Sequence, residues 1–409
     1  MRALPVVTVF AAFTVCAGLG AGAADRNSHG TETGAVGTGI PAFSVEVAED
    51  YNRLFIRKDG WIGADVAFSF PLLDGRVCWL FGDTYVGKIE DGRRVGTMVH
   101  NTIAIQKGLD PASAGIEFIH GLEGNSPADF IKPADGVGCF WLSHGGIQTE
   151  RGIHLFMARM VENATNYNSP IIGRWRPAGI VMARVANPSV NPGSWLVSQT
   201  AVPFCRFGAD GSEKAFGMPL LRDGKWIYVY GIEVALDDPG GHNRHLLAGR
   251  VAAGDLEDFS KWEFYADGRW QSDYTKASRL CDRIGAELSV SYLSSLKKYV
   301  LICTHRGLSD RIQMRMAASP VGPWSRAETV YRAPEHGWDS SYFCYAAKAH
   351  PELSGKDDLL VSYACNSTDM GKAIGDPRIY IPRFIRIKFK NTATEHGPNL
   401  TSPPRRNVR

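Results

Sequence analysis

The sequence predicts an all-β protein, and more narrowly a five-bladed β-propeller. Three observations lead there. Short apolar runs alternate with Asp-Gly, Gly-Lys and Pro-Gly turns along the chain, too short and too often broken by Gly and Pro for a helical bundle. A strand–turn–strand unit recurs five times. After three of these units a small residue, an Arg and an apolar run lead to a Trp, at Arg184 with Trp195, Arg250 with Trp262, and Arg315 with Trp324. Each unit therefore holds about four strands, the content of one propeller blade. Two stacked β-sandwich domains are the competing architecture.

The five units can be taken in chain order. Phe68 to Gly82 reads FSFPLLDGRVCWLFG, and Cys139 to Met160 supplies the second hairpin. Phe216 to Gly231, FGMPLLRDGKWIYVYG, repeats the first almost step for step. Glu287 to Cys303 and Tyr345 to Cys365 complete the set. Residues 45–390 shared among five units give about 69 residues per blade, longer than the ~40–50 of common propeller repeats, so long loops are expected. Trp195, Trp262 and Trp324 recur at equivalent places and read as packing between blades.

The ends carry a different signal. Arg2, the apolar stretch Leu4 to Leu19 and the small residues Ala21-Gly22-Ala23 have the form of a cleaved signal peptide covering residues 1–23. Flexible tails are expected over 24–44 and 391–409, and a secreted or periplasmic product follows. Cys16 falls inside the signal, leaving seven cysteines, which cannot all pair within one chain. No Cys-x-x-Cys pair exists, so zinc-ribbon and thioredoxin readings fail, and spacing leaves any disulfide pairing open.

Charge and composition exclude several function classes. With 45 basic and 42 acidic residues the net charge is +3, so no nucleic-acid partner is expected. A hydrophobic content of 44% excludes a disordered chain, and after the first thirty residues no apolar run is long enough to span a bilayer. No GxSxG, Walker or GxGxxG motif is present, and neither cofactor nor metal is expected.

A propeller gathers the beginnings of its innermost strands at one mouth of the central channel, so polar residues there are candidates for a shared site. They are Asp65 in the first blade, Asp135 in the second and Glu287 in the fourth, with Asp339 or Tyr342 less clearly in the fifth. The third blade, opening at Phe216-Gly217, shows no obvious acid. Antiparallel partners about the Asp74-Gly75 turn have numbers summing to about 149, and Asp65 with Asp83 falls within one of that. The two carboxylates should thus stand opposite each other across one hairpin. Mutual repulsion splits the pKa values of such a pair, as general acid–base chemistry requires. Two carboxylates ~5–9.5 Å apart are the machinery of glycoside hydrolysis. Asp65 and Asp83 are the candidate catalytic residues, with Asp135 and Glu287 set to hold sugar hydroxyls or tune the pair. Asn101, in His100-Asn101-Thr102, is a further binding candidate, and Trp61 and Trp338 are candidates for stacking on sugar rings. His242 and His245 lie in a Gly/Pro-rich loop and read as surface residues. A carbohydrate-binding propeller without turnover is the rival from another function class.

Gly63-Ala64-Asp65 followed by Leu80-Phe81-Gly82-Asp83-Thr84 resembles the paired TD(L/I)G … FGDT signature of the endo-D-arabinanases. This family was once named only as a domain of unknown function, and it acts on the arabinan of mycobacterial cell walls. His100 to Ala104, Ser319 to Trp324 and Leu360 to Asn366 are similar to its later segments. The resemblance implies a five-bladed propeller with Asp65 and Asp83 as the catalytic pair and D-arabinan as substrate. Ala64 stands where the family has Thr, and Val66-Ala67 where it has Leu/Ile-Gly.

Overall fold

The computed structural model describes residues 39–162, 175–208, 210–235 and 243–390. The expected signal peptide with Cys16, most of the N-terminal tail, the C-terminal tail and His242 lie outside the described residues.

Five antiparallel sheets follow one another along the chain. Blade one is built from Ala67–Pro71, Val77–Phe81, Thr102–Lys107 and Gly115–Ile119. Blade two uses Cys139–Thr149, Gly152–Glu162, Trp175–Val185 and Val197–Val202. Blade three is widened to six strands around Glu213–Asp223, Trp226–Ala235 and Asn243–Ala252. Blade four holds Leu288–Leu293, Lys298–Thr304, Arg311–Ala317 and Glu328–Arg332. Blade five sets Tyr342–Ala349, Asp358–Ser367 and Arg383–Phe389 beside Phe43–Val47 from the other end of the chain.

The innermost strands of successive blades touch in order, and the fifth blade returns to the first, so the ring is closed. This is the five-bladed propeller that the repeat predicts, and two sandwiches are ruled out. The N-terminal strand begins at Phe43, inside the stretch expected to be tail. It is held there by pairing from Phe43↔Phe389 to Val47↔Ile385, which covers an edge that blade five would otherwise expose.

The recurring Arg sits on the third strand of its blade, and the following Trp packs. Arg250 lies between the rings of Trp226 and Trp270, 4.1 and 4.2 Å from their centroids. Trp262 is buried with its indole N–H donating to Leu256 O at 3.1 Å. Cys344 and Cys365, directly opposed on the first two strands of blade five, form a disulfide with Cα atoms 4.2 Å apart. The other five described cysteines are free.

Two features shape the mouth. The first hairpin of blade one does not stop at its blade. Its strands run on as Asp59–Ala64 and Thr84–Glu90, which form a small sheet with Arg93–Val99. The helix Met370–Gly375 and the chain up to Ile381 then fold back over that sheet. Arg94 holds them there, its buried guanidinium donating to the carbonyls of Ile62, Ala373, Asp376, Pro377 and Ile379.

Candidate functional site: a buried carboxyl cluster at the propeller mouth

Asp65 and Asp83 stand where the long hairpin leaves blade one for the small sheet. The register on both sides, Ala67↔Phe81 and Ala64↔Thr84, makes Asp65 and Asp83 direct partners, as the turn position predicts. Asp65 N–H donates to Asp83 O at 3.1 Å, and Gly82 N–H to Asp65 O at 3.2 Å. A Cβ on Gly82 would collide with Asp65 Oδ1, so only glycine leaves that carboxyl where it stands. The next residue, Val66, has φ +48°, the left-handed region that a β-branched side chain avoids. Ala346 (φ +57°), next to Tyr345 on blade five, and Tyr380 (φ +59°), in the segment folded over the small sheet beside Asp65 and Asp83, share this conformation. Strained backbone gathered around one cluster is a usual mark of a functional site.

Glu287 joins the pair from the start of the inner strand of blade four. All three carboxyls are buried, and Asp65 Oδ1, Asp83 Oδ2 and Glu287 Oε1 have no hydrogen-bond partner. Tyr345, on the inner strand of blade five, donates its hydroxyl to Asp65 Oδ2 at 3.2 Å. The strand bulges between Tyr345 and Lys348, so it offers the phenol to the mouth and the ammonium of Lys348 a step further down the channel. Lys348 is fully buried, 3.9 Å above the ring of Phe68.

The electrostatics divide the acids. Burial, then the charges of Asp83 and Glu287, push Asp65 well above the usual carboxylate range. Burial also raises Asp83, but the bond from His100 opposes it. For His100 burial acts downward, yet bonding to Asp83, at Nδ1···Oδ1 3.3 Å, and to Cys139 carries its pKa up to about 11. Asp83 and His100 thus form an ion pair, whereas Asp65 is the acid with most reason to keep its proton. Glu287 is raised by burial and lowered by Lys348 and Arg244.

The other predicted residues are placed differently. Asp135 lies on the surface, its carboxylate gripped by Arg159 at 2.7 Å, because the inner strand of blade two begins four residues later at Cys139. Trp141 on that strand, not Asp135, lies against Asp83. Trp61 is buried among Phe55, Phe81 and Phe118, stacked on the last at 4.5 Å, and offers no face to a sugar. Asn101 is also buried, donating to Ile131 O and Phe140 O and accepting from Ile131 N–H; it clamps blade one to blade two. Trp338 is 43% exposed but lies under the guanidinium groups of Arg378 and Arg383, 5.0 and 5.4 Å from its ring. Asp339 is a surface partner of Lys372. His245 is in a strand of blade three and buried, not a loop residue.

Sequence reasoning missed Lys348, Tyr345, Tyr380 and the role of His100, and it overlooked Glu213. The inner strand of blade three does open with an acid, three residues before the Phe-Gly on which the repeats align, and Arg244 faces both it and Glu287. The half-buried Trp175 lies edge-on to His100 at 5.3 Å, one residue removed from the carboxyls themselves.

A family model described as a domain of unknown function (DUF5005) matches residues 48–391. None of the curated proteins matches the chain. Among solved structures, a protein of Bacteroides ovatus provisionally named a hydrolase has TM-score 0.65 and 19% identity over 84% of this chain and 90% of its own, a likeness of fold. The GH43_1 enzyme of Xanthomonas citri, complexed with xylotriose, has TM-score 0.43 and 13% identity, covering 83% of this chain and 92% of that one. The exo-β-1,3-galactanase of Phanerochaete chrysosporium has TM-score 0.42 and 11% identity, with 84% of this chain and 64% of that one covered. The last two superpose too loosely to bear on function.

Proposed function

We propose that this chain, which belongs to the DUF5005 family, is a secreted glycoside hydrolase whose proton transfers are made by Asp65 and Asp83. The observation that carries the reading is the pair itself: two buried carboxyls, opposed across one hairpin, in environments that push their protonation apart. Asp65, crowded by burial and two other acids, holds a proton to give to the leaving oxygen. Asp83, ion-paired with His100, is the ionised partner that activates water or attacks the sugar carbon. Nothing in this needs a cofactor. The FGDT resemblance supports D-arabinan as substrate, and the signal-like first 23 residues support secretion.

The test is release of oligosaccharides from a panel of polysaccharides that includes arabinans. Asp65→Asn and Asp83→Asn should each lower kcat by about 10²–10⁴-fold, the usual worth of a positioned acid or base. Turnover that survives both substitutions removes the assignment. The rival from another function class is carbohydrate binding at the same mouth without cleavage. It predicts saturable binding with no product from any glycan.

A further inference from the structure

Lys348 is not accounted for by the chemistry above. It lies on the inner strand of blade five, fully buried, and its ammonium makes no hydrogen bond. An ammonium carries three donors, and leaving all of them unused in the interior is costly unless its charge is answered. Below it is the face of Phe68; the cavity of about 580 Å3 that runs down the channel also reaches Phe68. The charges of Glu287 and Asp65 act on it, and each of those carboxyls has a buried oxygen that likewise has no partner.

The surrounding charges can be counted. Asp83 is answered by His100. Arg244 faces Glu287 from blade three, but it also faces Glu213. His350, two residues further along, is buried and held neutral, pushed well below its usual range by burial and by Lys348 itself. Tyr345 contributes a neutral hydroxyl to Asp65. Asp65 and Glu287 are therefore two carboxyls facing one ammonium, and a low-dielectric site tolerates only one of them as an anion beside it.

We propose that Lys348 is a positioning residue: the shared counter-charge of Asp65 and Glu287, which keeps Glu287 ionised and leaves the single proton on Asp65. This rests on the reading of Asp65 as the proton donor. Burial draws the pKa of Lys348 down to about 7, against the opposing pull of Glu287 and Asp65. As pH rises through that value the ammonium loses its proton, the balance fails, and activity should fall with it.

Two variants and one spectroscopic measurement test this. Lys348→Arg keeps a charge that does not titrate, so the alkaline limb of kcat/KM should move up by about one pH unit or more. Lys348→Met should lower kcat by about 100-fold with KM changed less than about threefold, because a mis-set proton affects chemistry rather than binding. In ¹³C carboxyl titrations, Lys348→Met should raise the midpoints of Asp65 and Glu287 relative to the unsubstituted protein. A limb that stays in place in Lys348→Arg, or carboxyl midpoints unmoved in Lys348→Met, overturns the proposal. If the unsubstituted protein cleaves no glycan, the hydrolase reading fails on its own, and the carboxyl titration still decides whether Lys348 governs those protons.

Discussion

At the scale of single residues, the site depends on what is left out as much as on what is present. Gly82 gives Asp65 its place: the carboxyl lies where a Cβ would stand. Gly82→Ala is expected to displace Asp65, costing about 1–3 kcal/mol as overpacking and most of the activity. A thermal melt beside a rate measurement separates the two losses. Activity kept at the unsubstituted level would show that the carboxyl need not occupy that position. Asp83 illustrates the other side of residue-scale reading. A Gly-Asp-Thr after a strand is also a plain turn, and only the bond from His100 and the neighbouring Trp141 distinguish it as part of a charged cluster.

At the scale of elements, the mouth is assembled by strands that overrun their blade and by a loop brought back from the far end of the chain. Arg94 connects the two, one guanidinium serving five main-chain carbonyls on two segments. Tyr380, on the segment it holds, donates its backbone N–H to Cys365 O at 2.7 Å and places its ring against Tyr85, 5.4 Å away, beside Asp65 and Asp83. Arg94→Met would leave those carbonyls buried and short of donors, at a cost of about 2–4 kcal/mol. It should also loosen the loop over the acids, so kcat/KM should fall although Arg94 touches no carboxyl. An unchanged kcat/KM in a destabilised variant would confine Arg94 to stability. Bulges act at the same scale. On blade five the register shift separates Tyr345 from Lys348, so one strand delivers a hydroxyl and an ammonium to different depths.

At the scale of the whole molecule, closure of the ring joins the two ends of the chain. The first strand, Phe43–Val47, completes blade five, and Asp65 follows on blade one, immediately across the closing seam. Removing residues 39–47 would strip Arg383–Phe389 of its outer neighbour and take Phe43 and Val45 from the blade-five core. With about 2–4 °C per kcal/mol for large domains, a Tm lower by about 10 °C is expected. A melt within a degree or two of the full chain would mean that the ring does not depend on this seam.

How much of this was legible in advance depends on the range of the signal. The blades were legible because strand alternation and turn chemistry are local, and five copies of a local pattern reinforce each other. The opposition of Asp65 and Asp83 was legible for the same reason, since a two-residue turn sets the register of the strands it joins. The errors share an origin too. Asp135, Asn101 and Trp61 have suitable chemistry at about the right place along the chain, but strand starts misjudged by a few residues put them on the surface or in the core. Glu213 was hidden by aligning the repeat on its aromatic residues.

The sequence by itself determined the fold class, the repeat and one pair of opposed acids, because each follows from contacts between residues near in the chain. Only the tertiary structure decided which further groups face that pair. Glu287 and Lys348 come from blades four and five, more than two hundred residues away from Asp65, and the bend that aims Lys348 is a bulge with no marker in the sequence. Burial and charge neighbourhood set protonation, and both are properties of the closed ring rather than of any one segment.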